Sequence, residues 1–181
     1  MPKQARVTTR TGDTGDTSLL GKRRVRKTDA RIDALGDLDE AQAAIGIARA
    51  TIRGRDQQVL LELQRGLYLV MAEVAVPRSG RERLRARIDA DAVRELDELG
   101  ERLRPRANVE GRFVVPGSDP ASASLDLART IARRAERTVV RLVDEKAVSG
   151  EHLIPWLNRL SDVLFLLARA VERRRRTKAR A

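Results

Sequence analysis

Apolar residues recur three and four positions apart along most of this chain, which is the spacing of one face of an α-helix. The recurrence begins at Asp29, and Gly and Pro residues interrupt it between the helices. Five helices are therefore predicted, over about residues 29–54, 60–76, 92–105, 121–148 and 151–172.

In the fourth and fifth helices the four- and three-residue steps alternate, which is the seam of a near-antiparallel bundle. The predicted fold is all-α: a five-helix bundle with ferritin-like up-down packing. Residues 1–28 are rich in Gly and Thr and are predicted to form a loop, and residues 29–172 the helical domain. Residues 105–120 are predicted to be a second loop, with a short extended piece at 113–115.

The composition excludes several kinds of chemistry. The 181-residue chain has no cysteine and one histidine, so thiolate metal sites, cysteine nucleophiles and multi-histidine metal centres are ruled out. Aromatic residues make up 2% of the chain, so aliphatic side chains must build the core. No apolar run is long enough for a membrane span, and the N-terminus lacks the apolar core of a signal peptide, so a cytoplasmic protein is expected.

The formal net charge is +11, and residues 173–181 carry six basic residues and no acid. Such a tail is typical of a disordered, solvated end, and disorder is the expectation here. Loose attraction to nucleic acid is the alternative, but no aromatic side chain is interleaved to stack on bases. Charge alone therefore does not indicate a nucleic-acid binder.

Three polar segments are candidates for chemistry. Residues 9–18 (TRTGDTGDTS) combine glycines that permit tight turns with hydroxyl donors, a composition suited to an anion, although an ordinary polar loop would look similar. In the fourth helix Arg129, Arg133, Glu136 and Arg137 share a stripe beside the apolar seam, whereas Arg134 points elsewhere, as a surface charge would. A phosphate chain or a salt-bridged helix face would each neutralise this stripe, with Glu136 pairing to Arg133.

The third segment, residues 157–162 (LNRLSD), places Asn158 and Asp162 on one face of the fifth helix. Hydrogen bonding between helices is the alternative explanation. Asp39 on the first helix is a candidate to neutralise an arginine of the stripe. Because the chain offers no poised nucleophile, an enzyme with these side chains would position reactants and stabilise phosphate charge while a cofactor supplies reactivity.

Several segments, in order and spacing, resemble the PduO-type ATP:cob(I)alamin adenosyltransferases over about residues 7–172. They are residues 9–15 (TRTGDTG), 27–31 (KTDAR), 36–40 (GDLDE), 113–117 (FVVPG), 128–130 (ART), 133–137 (RRAER) and 157–162 (LNRLSD). The sequence differs from the family pattern at Arg10, where lysine is usual, and at Gln42, Ser118 and Asp126.

The resemblance implies a homotrimer with active sites between subunits, which transfers the 5′-deoxyadenosyl group of ATP to Co(I) of reduced cobalamin and releases triphosphate. It implies that the N-terminal segment and the last two helices bind ATP, with Mg²⁺ held mainly by the triphosphate. The implied ATP-binding residues are Thr9, Arg10, Thr11, Gly12, Thr17, Ser18, Lys27, Arg133, Arg134, Glu136, Arg137 and Asn158.

The resemblance also implies a catalytic set of Asp39, Arg129, Arg133 and Phe113, and a cobalamin-binding set of Asp39, Phe113, Arg129 and Asp162. Asp39 and Arg129 would form an ion pair across the subunit interface, and Phe113 would shield the lower face of cobalt. A cobalamin reductase or a cobalamin-dependent acceptor enzyme are the implied protein partners, without nucleic acid or membrane. A non-catalytic protein that binds or delivers ATP or adenosylcobalamin is the alternative.

Overall fold

The computed structural model describes Thr8 and residues 10–20, 24–109 and 113–178, which form five α-helices preceded by a β-hairpin. A short 3-10 helix, Arg78–Arg83, lies between the second and third α-helices. The predicted all-α five-helix bundle is confirmed. The elements are β1 (Asp16–Ser18), β2 (Arg24–Arg26), α1 (Ala30–Thr51), α2 (Arg55–Ala75), α3 (Ala90–Ala107), α4 (Pro120–Asp144) and α5 (Leu153–Lys178).

One apolar core joins all five helices. Helix α1 packs against α2 and α4, and α5 packs against α3 and α4. The stripe predicted for the fourth helix is fully buried, apart from a trace of exposure at its last residue: Leu125, Ala128, Ala132, Ala135, Val139 and Leu142. No helix among the described residues has both the length and the apolar character needed to cross a bilayer.

Three helices begin at aspartates whose side chains satisfy otherwise unpaired backbone N–H groups. Asp29 accepts from the backbone nitrogen of Arg31 at 2.9 Å, and Asp89 accepts from that of Ala92 at 2.9 Å. Asp119 accepts from Ala121 at 2.9 Å, and Pro120 occupies the first turn of α4, where its missing N–H is harmless. These caps fix where α1, α3 and α4 start.

Arg31 joins the start of α1 to the ends of two other helices. Its guanidinium donates to the carbonyl oxygens of Val74 (3.2 Å) and Val76 (2.6 Å) at the end of α2. It also donates to the carbonyl of Ala147, in the loop after α4, at 2.5 Å. Because these carbonyls lie at helix ends, one cation satisfies acceptors that no helical N–H can reach.

The N-terminal segment and α3 differ from the sequence prediction. The described part of residues 1–28 contains a hairpin, with Asp16 opposite Arg26 and Ser18 opposite Arg24, where only a loop was expected. Helix α3 continues two residues past Pro105, its predicted end. Proline in the last turn removes only one backbone donor, and Asn108, with φ +49°, closes the helix by donating its N–H to the carbonyl of Arg104.

Residues 173–178 of the basic tail also differ from the prediction of disorder, because α5 continues through Lys178. Arginine is a good helix former, and two tail arginines find partners on the bundle. Arg173 donates to the carbonyl oxygen of Pro105 at 3.1 Å, and the guanidinium of Arg174 lies 3.5 Å from the buried carboxylate of Asp56. These contacts hold the first residues of the tail against α2 and α3.

Candidate active site

A tight glycine turn precedes β1 at the open end of the hairpin. Gly15 adopts φ +82°, which favours glycine, and its N–H donates to the carbonyl of Gly12 at 3.1 Å. The N–H of Lys27 then donates to the carbonyl of Gly15 at 2.9 Å, just beyond the last paired residues of β1 and β2. Sequence positions 12–18 and 27 are therefore brought together, as the resemblance implies, whereas Thr9 lies outside the described residues.

Lys27 lies against the backbone of Gly12. A Cβ atom built on Gly12 would be 3.3 Å from the Lys27 ammonium nitrogen, so a side chain here would displace the cation. Arg10, Thr11 and Lys27 are exposed around this turn. The turn therefore presents positive charge and polar groups to solvent at one place, an arrangement suited to an anion.

Two arginines of β2 that the sequence analysis did not single out support this turn. Arg24 donates to the carbonyl oxygen of Thr11 at 2.8 Å, and Arg26 donates to that of Thr14 at 3.0 Å. Arg26 also lies 3.4 Å from the carboxylate of Asp16, its cross-strand neighbour. Their role depends on the register of the hairpin, which strands of three residues do not reveal in a sequence.

The polar stripe of α4 is present, but its pairing differs from the prediction. Glu136 accepts a hydrogen bond from the side chain of Asn158 on α5 at 3.2 Å, in place of the expected pair with Arg133. The side chain of Arg133 is exposed and makes no hydrogen bond or ion pair with another described residue. Arg137, also exposed, donates to the carbonyl oxygen of Arg133 at 3.1 Å. Two guanidiniums are thus available to a ligand beside the Glu136–Asn158 pair.

Arg134 faces α1 and is not a plain surface charge. Its Nε lies 3.0 Å from the carboxylate of Asp37, and its Nη2 pairs with Glu40. Asp39, the carboxylate expected to meet an arginine of the stripe, is exposed, and no hydrogen bond or ion pair joins it to another described residue. Asp162 is likewise exposed on α5. Within one chain, Asp39 and Arg129 are therefore not paired.

Arg129 lies between an acid and an aromatic ring. Its Nε is 4.0 Å from the Asp126 carboxylate, and its guanidinium carbon is 6.0 Å from the centre of the Phe165 ring. Arg169 on α5 forms an ion pair with the same carboxylate at 2.5 Å. Arg169 was not predicted as a site residue, although it is the one charged residue within the run 163–171 (VLFLLARAV), a position that demands a buried partner.

An open pocket of about 730 Å³ lies between the loop at residues 113–118 and the end of α5. Arg169, Glu172 and Arg173 form one wall, and Phe113 in the opposite loop is fully exposed. A large apolar side chain that is fully exposed at the mouth of a pocket is suited to contact a ligand.

The hairpin meets the C-terminal end of α4, beyond the arginine stripe. Leu19 and Val25 flank a cavity of about 330 Å³ together with Leu142 and Glu145 at the end of α4. Arg133 precedes Leu142 by nine residues, or roughly 13 Å along the helix axis. Arg133 therefore lies about two and a half helical turns before the residues of α4 that meet the hairpin.

The chain matches the family described as Cobalamin adenosyltransferase over residues 7–171, which is nearly its whole length. It belongs to the cobalamin adenosyltransferase family. The match spans the hairpin, the arginine stripe and the Phe113 loop, and it confirms the resemblance identified from the motifs.

Curated members of the cobalamin adenosyltransferase family are similar over most of their length. The chain is 37% identical over 168 residues to a corrinoid adenosyltransferase of Citrobacter freundii, covering 92% of this chain and 95% of that protein. It is 40% identical over 169 residues to a corrinoid adenosyltransferase of Mycobacterium bovis, covering 91% and 87%.

Solved structures of the family share the fold. A variant of the PduO-type ATP:corrinoid adenosyltransferase from Lactobacillus reuteri, complexed with cobalamin and ATP, superposes with a TM-score of 0.85 at 28% identity. The superposition covers 94% of this chain and 93% of that one.

Proposed function

We propose that this protein is an ATP:corrinoid adenosyltransferase. In this reaction, Co(I) of reduced cobalamin attacks C5′ of ATP, a Co–C bond forms, the C5′–O bond breaks, and triphosphate leaves with the bonding electrons. The observation that carries the proposal is the family match over residues 7–171. The lack of any cysteine and the single histidine agree with it, because the reactive nucleophile is the cobalt and not a side chain.

The hairpin and α4 supply the groups for ATP. Lys27 and the turn around Gly12 bind phosphate oxygens, with help from the neighbouring residues Thr9, Arg10, Thr11, Thr17 and Ser18. Arg133 and Arg137 present exposed guanidiniums that match phosphate geometry, beside Glu136 and Asn158. Arg134 contributes through α1, which it holds against α4. Mg²⁺ enters with the triphosphate, since it prefers phosphate and water oxygens, and there it neutralises the leaving group.

The corrinoid half of the site involves Phe113, Arg129, Asp39 and Asp162. Phe113 projects from the loop that forms one side of the 730 Å³ pocket, where an apolar ring excludes water from the lower face of cobalt. The exposed Asp39 and the weakly held Arg129 pair between neighbouring chains, in a homotrimer. An intersubunit site also brings one chain's hairpin to another chain's arginine stripe.

The reaction also indicates location and partners. Co(I) requires a strong reductant, so we place the enzyme in the cytoplasm together with a cobalamin reductase or a cobalamin-dependent acceptor enzyme. The engagement of Arg173 and Arg174 with the bundle argues against a tail that serves to bind nucleic acid.

The proposal is tested by mixing the protein with Mg-ATP and chemically reduced cobalamin without oxygen. The expected result is a time-dependent spectral change to adenosylcobalamin that needs ATP. Light should then break the Co–C bond of the product by homolysis and give the spectrum of cob(II)alamin. A protein that only binds or delivers adenosylcobalamin would retain added product without forming it, and that outcome would contradict the enzymatic proposal.

A further inference from the structure

Four charged side chains meet around Phe165 at the interface of α4 and α5. Asp126 and Arg169 form an ion pair of 2.5 Å in which each side chain is about 5% exposed. Arg169 also lies 3.5 Å from Glu172, one turn further along α5. The guanidinium carbons of Arg169 and Arg129 lie 5.5 and 6.0 Å from the centre of the Phe165 ring. Two cations therefore share one aromatic ring and one buried carboxylate.

Asp126 has two possible cationic partners, and the geometry distinguishes them. A buried carboxylate needs a close, hydrogen-bonded counter-charge. Arg169 provides it at 2.5 Å, whereas the nearest Arg129 nitrogen stays at 4.0 Å, beyond hydrogen-bond distance. The Nε of Arg129 is buried without a hydrogen bond to a described residue, although its side chain is 27% exposed.

We propose that Arg169 is a positioning residue for the corrinoid half of the reaction. By neutralising Asp126, it prevents that carboxylate from pairing closely with Arg129 and leaves the Arg129 side chain partly exposed, at 27%. The inference rests on the proposed function, in which Arg129 acts beside the corrinoid. The role of Arg169 is distinct from contact with substrate, because it acts through Asp126.

The consequence of losing Arg169 follows from the spacing along α4. Asp126 and Arg129 are three residues apart, so their side chains lie on the same helix face and can close into a full ion pair. Without Arg169, Asp126 would be a buried charge whose nearest identified cation is Arg129. Closing that pair would draw the Arg129 guanidinium, which already lies 6.0 Å from the centre of the Phe165 ring, closer to Asp126 and away from the protein surface.

The test compares steady-state kinetics of Arg169→Met, Arg169→Lys and the double variant Asp126→Asn/Arg169→Met in the full-length protein. Arg169→Met should raise the KM for reduced cobalamin about tenfold, with the KM for ATP within about twofold of wild type. Arg169→Lys keeps a charge opposite Asp126, so its KM values for reduced cobalamin and ATP should stay close to those of the wild type. The double variant removes the competing carboxylate and should return the cobalamin KM to within about threefold of wild type.

A matched control separates positioning from general stability. Glu73, 1% exposed, is paired with Arg81 at 2.6 Å near the end of α2. Arg81→Met also strips the partner from a buried carboxylate, so it should lower the melting temperature without changing the cobalamin KM.

Two results would overturn the inference while wild-type turnover is intact. An unchanged cobalamin KM in Arg169→Met would show that Asp126 does not compete for Arg129. If the cobalamin KM of the double variant stayed as high as that of Arg169→Met, Arg169 would instead be assigned to direct contact with substrate, since it lines the pocket beside the Phe113 loop. Absence of adenosylation in the wild-type protein would contradict the proposed function itself.

Discussion

The guanidinium of Arg134 on α4 is bound by Asp37 on α1, with 3.0 Å between Nε and the carboxylate. Glu40, one turn further along α1, pairs with Nη2 of the same guanidinium. The adjacent Arg133 has an exposed side chain. Neighbouring arginines on one helix thus have different surroundings: Arg134 joins two helices, and Arg133 is available to a ligand.

Arg133→Lys should impair the use of ATP. Lysine keeps the charge but loses the planar pair of donors that matches phosphate oxygens. We expect a raised KM for ATP and a reduced kcat, together lowering kcat/KM about tenfold, or roughly 1.4 kcal/mol. Steady-state kinetics at saturating reduced cobalamin measure this change.

Arg134→Lys is the matched control for Arg133→Lys, because a lysine there can still pair with Asp37 or Glu40 on α1. Its ATP kinetics should stay close to wild type, within about twofold. If the two substitutions were equally mild, α4 would not carry the phosphate site.

Gly66→Ala should destabilise the bundle, although alanine is normally the better helix former. A Cβ on Gly66 would lie 2.2 Å from the ring of Trp156, which is 3% exposed, so either the indole or the backbone of α2 must shift. We expect a loss of about 1–3 kcal/mol. Thermal unfolding should show a decrease of about 2–4 °C for each kcal/mol lost.

Gly100→Ala in α3 gives the opposite expectation, since the nearest atom to its Cβ, in Leu166, is at an ordinary contact distance of 3.9 Å. It should gain up to about 1 kcal/mol from helix propensity. A Gly66→Ala protein as stable as Gly100→Ala would mean that Trp156 does not fill the space beside α2.

The helices could be predicted from the sequence because each buries a stripe whose period is local. Leu125 and Val139 on α4 were assigned to the core from that period alone, and both are buried. Relationships between helices could not be predicted in the same way. Arg134 pairs with Asp37 because its side of α4 faces α1. Asp126 pairs with Arg169 because α5 packs beside α4 at that point. The packing of one helix on another leaves no periodic pattern in the sequence of either helix.

The site was predicted mainly through motifs, and its supporting residues were missed where they depend on tertiary contact. Arg24 and Arg26 hold the carbonyls of the glycine turn only because β2 pairs with β1 in one register. Arg169 stands in an apolar run, but the sequence does not say which acid it meets. Charge inside such a run identifies a buried pair without identifying its partner.

Chains that end after Arg174 and after Glu172 should behave differently. The shorter chain loses the Arg173 contact to Pro105 and leaves Asp56 with the Arg106 pair alone, at 2.8 Å. It also loses one wall residue of the Phe113 pocket. Because the Arg174 side chain is half-exposed and Asp56 keeps its pair with Arg106, we expect only about 1 kcal/mol of destabilisation, or roughly 2–4 °C in Tm, with a raised cobalamin KM.

The chain ending after Arg174 is the control for this truncation, and its Tm should stay within about 2 °C of the full-length protein. Identical Tm and cobalamin KM values in the two truncated proteins would show that Arg173 and Arg174 do not hold the tail on the bundle.

Asp39→Asn and Arg129→Met should each impair the use of cobalamin more than the binding of ATP. Each leaves one member of the proposed intersubunit pair without its counter-charge. Asp39 has no described partner in its own chain, so the loss should appear as a raised cobalamin KM, with the ATP KM within about twofold of wild type. Equal damage to the two KM values would contradict this placement of Asp39.

Mixing these two variants tests where the pair forms. In a randomly mixed ring, Asp39 comes from one copy and Arg129 from the next, so about a quarter of the sites regain both wild-type residues. The activity of the two variants refolded together should therefore be well above the summed activity of the same variants refolded separately. The control mixes Asp39→Asn with the double variant Asp39→Asn/Arg129→Met, which cannot form a wild-type site. If neither mixture recovers activity although both contain trimers, the pair does not cross the interface, and the shared-site proposal fails.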